Sequence, residues 1–420
     1  VILERYNHLL AYEDGKSIDL NKARLIKLFV NTENILLIKS AYNRFTQTNQ
    51  LIAQRYNLDF KTLDKPQLLA ESYASDFSDK GSFRMRVSDA ENYYSIIYTE
   101  RGEKGSVVLH HYLLDKELKQ RSSKTVALPY SPQDFRINDY LVSNTGTVSF
   151  LTQLSIREKR KVLNVQHSLF KLEGDSLSDF IISDTMELKS SRLVYDRFKD
   201  DARVVGLYGY SNALGIDGVL FYQLTKETNE SLLQLNPFTE EFIAAVNQQD
   251  SKDFVSDGFS LLKAIPRSDG GILLIAEQKE INTEDDIIMV NGIPQSTSKN
   301  IYNYNEILVL NYDNEGFLDW YNVITKNQTT VNDGGYYSSA VVYVGDKYVQ
   351  LFYNDQLRSS GDIMQHTVYN NGKSESKKLL KLELDYVAII PRESKQVSSN
   401  KIIIPTLKNR RFALLKLIYN

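Results

Sequence analysis

The sequence predicts an all-β protein, a seven-bladed β-propeller with blades of about 50–75 residues. Seven short apolar runs recur along the 420 residues, and their starts are separated by 59, 54, 56, 68, 76 and 54 residues. Near-continuous apolar runs of this length are typical of strands that are buried on both faces. The runs are residues 35–40, 94–99, 148–153, 204–209, 272–277, 348–353 and 402–407.

Each run is flanked by further strand-like segments that end in turn residues, which gives three to four short strands per repeat and matches a propeller blade. Two packed β-sandwiches are the main alternative, but no linker rich in Pro, Ser or Gly divides the chain. A β-solenoid has much shorter coils. We therefore expect one domain over residues 1–420. The last repeat ends near residue 418, and an N-terminal strand from 1–12 or 23–30 would complete its sheet and close the ring.

Helical patterns are sparse. Residues 239–249 predict one short helix, because Thr239 is a good N-cap residue and an apolar stripe follows it. Residues 64–72 predict a second helix of one or two turns.

The fifth repeat carries an insertion at residues 280–303. Apolar residues on both sides of Asn291-Gly292 predict a β-hairpin that projects from the ring. Such a hairpin is covered either by its own ring or by a partner, and both interpretations stay open. The candidate partner-binding residues lie on this hairpin and beside the long connections that follow it: Ile287, Ile288, Met289, Val290, Ile293, Tyr302, Tyr304, Tyr336 and Tyr337.

The same repeat contains Asp269-Gly-Gly before an apolar strand, a strand that ends in Asp313-Asn-Glu-Gly, and an aromatic strand around Trp320. This pattern resembles the repeats of uncharacterised secreted Bacteroidota β-propeller-like proteins. Asn332-Asp-Gly-Gly-Tyr-Tyr is a second partial match to the motif, and the other repeats match only in the spacing of their predicted strands. The resemblance implies a propeller in an extracytoplasmic setting, periplasmic or at the cell surface. It implies no reaction. Because the sequence begins with Val1 rather than Met, we expect a processed or truncated N-terminus, with a signal peptide already removed.

The sequence contains few of the motifs that mark catalytic, cofactor-binding or metal-binding sites. The chain has no cysteine, which excludes disulfides, thiolate zinc sites and thiol nucleophiles. Phosphate-binding glycine loops, His-Glu-x-x-His and Gly-x-Ser-x-Gly are absent. His110 and His111 are adjacent on a predicted strand, so they face opposite sides and cannot share a metal; we expect one packed and one exposed. We therefore predict no catalytic residue, no cofactor and no metal.

Charge and hydropathy argue against a nucleic-acid-binding protein and against a transmembrane helix. With 50 basic against 53 acidic residues, the net charge of −3 excludes a strongly basic nucleic-acid binder. No apolar run approaches the 18 residues or so that a transmembrane helix needs.

After these exclusions, the sequence predicts a protein that is not an enzyme. We expect an extracytoplasmic scaffold that binds a protein partner, as a component of an outer-membrane-associated assembly of the cell envelope. The alternative is a propeller that binds or cleaves glycans, since Tyr and Trp rings stack on sugars and paired carboxylates act as acid and base. A purely structural spacer is the third interpretation.

Overall fold

The chain forms two compact units in a computed structural model. The first comprises Val1–Met186, Tyr195–Arg203 and Leu224–Ser231, and the second comprises Glu187–Val194, Val204–Gln223 and Leu232–Asn420. The structure describes residues 1–74, 76, 83–158, 160–174, 176–210, 215–224, 230–247, 254–290, 293–355, 357, 362–380, 387–408 and 411–419.

The first unit holds an N-terminal two-stranded hairpin and three antiparallel sheets of four strands each. Consecutive strands are hydrogen-bonded neighbours within every sheet, so each sheet is a simple meander. A 3-10 turn at Glu103–Gly105 connects two strands of sheet 2. The N-terminal hairpin contains β1 (Ile2–Tyr6) and β2 (Tyr12–Ser17), and sheet 1 contains β3 (Arg24–Val30), β4 (Asn34–Asn43), β5 (Thr48–Asn57) and β6 (Gln67–Tyr73). Sheet 2 contains β7 (Arg84–Val87), β8 (Tyr93–Arg101), β9 (Val107–Asp115) and β10 (Gln120–Leu128). Sheet 3 contains β11 (Phe135–Val142), β12 (Val148–Glu158), β13 (Lys161–Glu173) and β14 (Ser176–Ser183).

The second unit holds most of sheet 4 and all of sheets 5, 6 and 7. Sheet 5 has a fifth strand, β23, which pairs with β21. In sheet 7, β30 pairs with β28, β29 and β31. Its strands are β15 (Met186–Asp196), β16 (Asp201–Tyr210), β17 (Gly218–Leu224) and β18 (Ser231–Pro237) in sheet 4; β19 (Phe259–Pro266), β20 (Ile272–Val290), β21 (Ile293–Tyr312), β22 (Leu318–Ile324) and β23 (Gln328–Val331) in sheet 5; β24 (Val341–Val344), β25 (Tyr348–Asn354), β26 (Ile363–Tyr369) and β27 (Ser374–Leu380) in sheet 6; and β28 (Val387–Ile389), β29 (Lys395–Ser398), β30 (Lys401–Lys408) and β31 (Arg411–Ile418) in sheet 7.

The described residues thus form seven antiparallel sheets of four or five strands, and the prediction of an all-β, repeat-like chain is confirmed. Each predicted apolar run lies in an inner strand of a different sheet: β4, β8, β12, β16, β20, β25 and β30. Where a sheet packs between two neighbours in its unit, this strand is apolar on both faces. Ile96 contacts the core shared with sheet 1, whereas Ile97 contacts the core shared with sheet 3. Leu274 and Ile275 divide in the same way between sheets 4 and 6.

The N-terminal strands have partners other than the last sheet. β1 pairs with β2, and β3 pairs with β4. Leu3 and the neighbouring apolar residues pack on sheet 1, so the N-terminal hairpin β1–β2 extends the core of that sheet. The described strands of sheet 7 all come from residues 387–418.

One helix prediction is confirmed and the other is wrong. The α-helix α1 spans Glu240–Val246, and Thr239 caps it by accepting a hydrogen bond from the Phe242 amide. Residues Gln67–Tyr73 form β6 instead of a helix, because β5 offers backbone partners along the segment, with one β-bulge at Leu69. A second 3-10 turn spans Pro391–Glu393. No described helix is long and apolar enough to span a membrane.

Candidate functional site: the ribbon of sheet 5 and its base

The longest hairpin in the second unit is formed by β20 and β21. Its register continues without interruption from Lys279↔Tyr304 to Val290↔Ile293. The short strand β23 covers one edge of its lower part and ends where the Asn332 side chain accepts a hydrogen bond from the Asn300 amide. Beyond that point eight residue pairs form a free two-stranded ribbon, which is about 25 Å long at about 3.3 Å per residue. We call residues 283–300 the ribbon.

A β-bulge separates the ribbon from the sheet that carries it. The register shifts between Glu277 and Lys279, which leaves Gln278 opposite Asn305 and Glu306. Bulges bend a hairpin and redirect its side chains. Glu277, before the bulge, lies in the core, whereas Lys279, after it, lies at the surface, where its ammonium is 5.2 Å from the centre of the Tyr304 ring.

The base of the ribbon is fixed by a buried ion pair. Lys326 Nζ lies 3.0 Å from Glu277 Oε1, and the two side chains are 1% and 5% exposed. Lys326 also donates hydrogen bonds to the Tyr304 carbonyl and to Gln328 Oε1, at 3.0 and 2.9 Å. The Ser339 hydroxyl donates to the other carboxylate oxygen of Glu277 at 2.5 Å. Burial lowers the pKa of Lys326, and the nearby Glu277 carboxylate opposes that shift.

Further hydrogen bonds extend this network over four separate chain segments. Gln328 Nε2 donates to the Asn354 carbonyl, and the Ser339 amide donates to Gln328 Oε1. Asn354 Nδ2 in turn donates to the carbonyls of Tyr337 and Ile389. Since these side chains bind one another and the backbone of neighbouring segments, the base is held as one polar cluster.

The four predicted tyrosines lie at this base and differ in exposure. Tyr304 is 8% exposed and packs against Gly335, where an added Cβ would lie 2.8 Å from the ring. Tyr302 is half-buried on the ribbon side, opposite Ile281. Tyr336 and Tyr337 are half-buried and meet edge to face at 5.1 Å, and the Arg392 guanidinium lies 4.2 Å from the Tyr336 ring centre. Tyr304 therefore anchors the ribbon from within, whereas the other three retain accessible surface.

The apolar residues predicted for the ribbon lie at its far end. Ile287 is 70% exposed and Met289 is 66% exposed, on the same face of β20. The backbones of Ile288, Val290 and Ile293 belong to the two strands, and their side chains lie outside the described residues. The predicted turn at residues 291–292 also lies outside the described residues. The structure thus does not bring the ribbon tip together with the tyrosines at its base.

A polar cavity of about 290 Å³ opens beside the bulge. Lys326 forms part of its wall, together with Glu280 and Glu306 and the carboxyl end of α1. Among the described residues no three His, Asp or Glu side chains converge in a way that would hold a metal ion.

Two residues of the base, Lys326 and Glu277, carry no signal in the sequence. Lys326 lies in a polar segment whose pattern predicts a loop, and Glu277 is the last residue of an apolar run. Glu277 lies on the same face of β20 as the buried residues Leu273 and Ile275, and its partner Lys326 comes from a distant segment.

Comparison with known proteins gives no family. No protein-family model matches the sequence, and no curated protein matches it. Among solved structures, the chain is similar to the polysaccharide lyase Uly1, with 10% identity, coverage of 93% of this chain and 89% of that chain, and a TM-score of 0.40. A protein of unknown function from Dyadobacter fermentans DSM 18053 is similar with 8% identity, coverage of 94% of both chains and a TM-score of 0.35. Neither likeness is close enough to transfer an activity.

Proposed function

We propose that this protein is a non-enzymatic, extracytoplasmic scaffold with a seven-bladed β-propeller fold, which binds a protein partner as a component of an outer-membrane-associated cell-envelope assembly. The seven described sheets, each a unit of consecutive strands, support the assignment of one blade to each sheet. Propellers present loops and hairpins from a rigid body, and binding functions reside in those projections.

The observation that carries the proposal is the exposure of Ile287 and Met289 at the end of a ribbon with a fixed base. Exposed apolar side chains at a projecting tip are typical of protein contact sites, and methionine is enriched at interfaces. The base limits the entropy that the ribbon loses on binding, because its polar cluster already holds it in place.

The charge of the ribbon indicates the chemistry of the partner. Residues 279–304 carry four carboxylates, Glu280, Glu284, Asp285 and Asp286, against the two lysines 279 and 299. Lys299 is paired with Glu284 at 2.9 Å, so Asp285 and Asp286 leave the ribbon acidic. The partner we expect is a protein with an apolar groove bordered by Lys or Arg.

The test is native purification of the tagged protein from its own cell envelope, with mass spectrometry of the co-eluting chains. Wild type should bring down a stoichiometric partner, and the double variant Ile287→Ser/Met289→Ser should lose it. Phe45→Ser is the matched control, because Phe45 is 86% exposed but lies in the turn between β4 and β5 of sheet 1. Deletion of 283–299 should also abolish the complex without unfolding the protein. Equal recovery of the partner with all variants would refute the proposal.

A second function, glycan binding, is favoured by a different observation. A cavity of about 310 Å³ between sheets 5 and 6 is lined by Trp320, Tyr348 and Tyr369 together with Asp346 and Lys347. The Trp320 indole donates to the Asn370 carbonyl at 3.2 Å, which fixes its orientation. Aromatic rings beside charged hydrogen-bonding groups suit a sugar ring.

Because Trp320 is the single tryptophan, its fluorescence reports directly on this cavity. Titration with neutral oligosaccharides should change the emission, and Trp320→Phe should abolish the signal while Tyr348→Ala should weaken binding measured by calorimetry. An unchanged emission and no measurable heat across a panel of oligosaccharides would contradict glycan binding at this cavity.

A further inference from the structure

A third cavity, of about 520 Å³, lies in the first unit between sheets 2 and 3. It is located where the start of β7, the end of β8 and the start of β11 meet. Its apolar wall consists of Ile97, Val107, Phe135 and Ile137, all of which belong to the core between the two sheets. A cavity of this size is within the range of small-molecule sites.

Three arginines line this cavity: Arg84, Arg101 and Arg136. All three are exposed residues, and none forms an ion pair with any residue that the structure describes. Nine of the seventeen described arginines have a described carboxylate within ion-pair distance, whereas these three, which meet at one cavity, do not. The described arginines with a carboxylate within ion-pair distance are Arg5, Arg55, Arg86, Arg121, Arg157, Arg197, Arg203, Arg267 and Arg392.

The one carboxylate in the cavity lining, Glu100, is already engaged. Its Oε1 accepts a hydrogen bond from the Tyr73 amide at 2.8 Å, and its Oε2 lies 3.1 Å from His110 Nε2. Three arginines therefore share the lining with a single carboxylate that already has partners, and the cavity carries an excess of positive charge. Concave walls strengthen such a field and attract anions.

The neighbouring pair Arg86 and Asp139 shows what Arg84 lacks. Arg86 Nη2 lies 2.6 Å from Asp139 Oδ1, so its charge is compensated across the gap between β7 and β11. Two residues earlier on the same strand, Arg84 Nη1 donates to the Ile137 carbonyl at 2.7 Å. The carbonyl fixes the position of the Arg84 guanidinium but leaves its charge uncompensated and its other N–H groups available for a bidentate contact.

We propose that this cavity binds a small acidic sugar, a ring compound that carries a carboxylate or a sulfate group. The anionic group is bound by Arg84 with help from Arg101 and Arg136, and the cavity, of about 520 Å³, has room for the sugar ring beside them, next to the polar side chains of Thr99 and Asn138. The assignment is independent of the protein partner proposed for the ribbon, since no ribbon residue lines this cavity.

The test is calorimetric titration of the full chain at low ionic strength with four probes: glucuronate, glucose 6-sulfate, glucose and inorganic sulfate. At least one acidic sugar should bind at least about tenfold more tightly than glucose and than sulfate, and the carboxylate and sulfate probes distinguish the two anionic groups. Affinity should fall as salt is added, because the contact is between charged groups. Equal affinity for glucose, equal affinity for sulfate, or no binding of either acidic sugar would each overturn the proposal.

Variants locate the binding in the cavity. Arg84→Gln should weaken binding of the acidic sugar about tenfold or more, because it removes a charge-assisted bidentate contact, and Arg136→Gln should weaken it less. Arg411→Gln is the control, since Arg411 is an exposed arginine in sheet 7. Urea unfolding of each variant identifies any that fail to fold, and Arg84→Lys keeps the charge for that case. Unchanged affinity in folded Arg84→Gln and Arg84→Gln/Arg136→Gln proteins would overturn the assignment.

Discussion

Lys326 Nζ and Glu277 Oε1 lie 3.0 Å apart beneath the ribbon, and both side chains are almost inaccessible to water. Two charges in such a place stabilise the fold only together, because each carries a desolvation penalty that the other offsets. The pair connects the start of the hairpin to the segment that follows β22, and so it couples the position of the ribbon to the packing of the sheet.

Removing one partner of this pair should be strongly destabilising. Lys326→Met leaves Glu277 buried without its cation, and the free energy of unfolding should fall by about 3–5 kcal/mol. Chemical denaturation in urea measures this change. The double variant Lys326→Met/Glu277→Leu should recover most of the loss, since it leaves no uncompensated charge.

The exposed pair on the ribbon provides the comparison. Lys299 and Glu284 are 2.9 Å apart but 42% and 54% exposed, and Lys299→Ala should leave the urea midpoint unchanged because water screens the interaction. A loss in Lys299→Ala as large as in Lys326→Met would contradict the argument from burial.

Gly335 and Gly334 should differ in their response to alanine although both have positive φ angles, +66° and +68°. Alanine at either site strains the backbone by about 1–2 kcal/mol. At Gly335 the new Cβ would also lie 2.8 Å from the Tyr304 ring, whereas at Gly334 no atom lies within 4 Å. Urea denaturation should therefore rank Gly335→Ala clearly below Gly334→Ala, and equal stabilities would refute the close contact.

Stability should decline in mild acid because of His111. Its side chain is 3% exposed, its Nε2 lies 3.1 Å from the Ser95 hydroxyl, and burial lowers its pKa to about 4. The unfolded chain binds a proton near pH 6.5, so the stabilisation is complete above that pH and is lost as the pH falls through 4. A shift of this size corresponds to about 3 kcal/mol.

Unfolding free energies measured between pH 7 and pH 4 check this prediction. The slope should become shallower in His111→Asn and remain unchanged in His8→Asn, because His8 is exposed. Some slope should remain in His111→Asn, since burial also lowers the pKa of His366. An identical slope in wild type and His111→Asn would show that His111 is not the titrating group.

Substitutions at the ribbon tip should separate stability from binding. Ile287→Ser should change the free energy of unfolding by less than about 0.5 kcal/mol, because the side chain is already in water. Ile275→Ser, at a residue that is 0% exposed in the same strand, should cost at least about 3 kcal/mol. A large loss in Ile287→Ser would indicate that the tip packs on its own protein.

Several elements follow from local pattern. The seven apolar runs predicted the inner strands because burial on both faces requires consecutive apolar residues. Thr239 predicted the start of α1 because a hydroxyl there accepts a backbone hydrogen bond. The opposite orientation of His110 and His111 follows from strand geometry; His111 is packed as expected, whereas His110 is partly covered by the Tyr98 ring, stacked at 4.5 Å.

Other features were beyond local pattern. Residues 67–73 formed a strand against expectation because β5 supplied distant hydrogen-bond partners. The burial of Tyr304 depends on Gly335, and the charge of the acidic-ligand cavity depends on which arginines find a carboxylate across the gap between two sheets.

The sequence by itself determined the all-β class, the repeat period and the long hairpin with an apolar tip, because each of these is written in the spacing of neighbouring residues. The tertiary structure alone decided that Lys326 meets Glu277, and that Arg86 is neutralised while Arg84 is not. The physical reason is that charge compensation and close packing depend on distances between residues far apart in the chain, and those distances exist only after the sheets have packed.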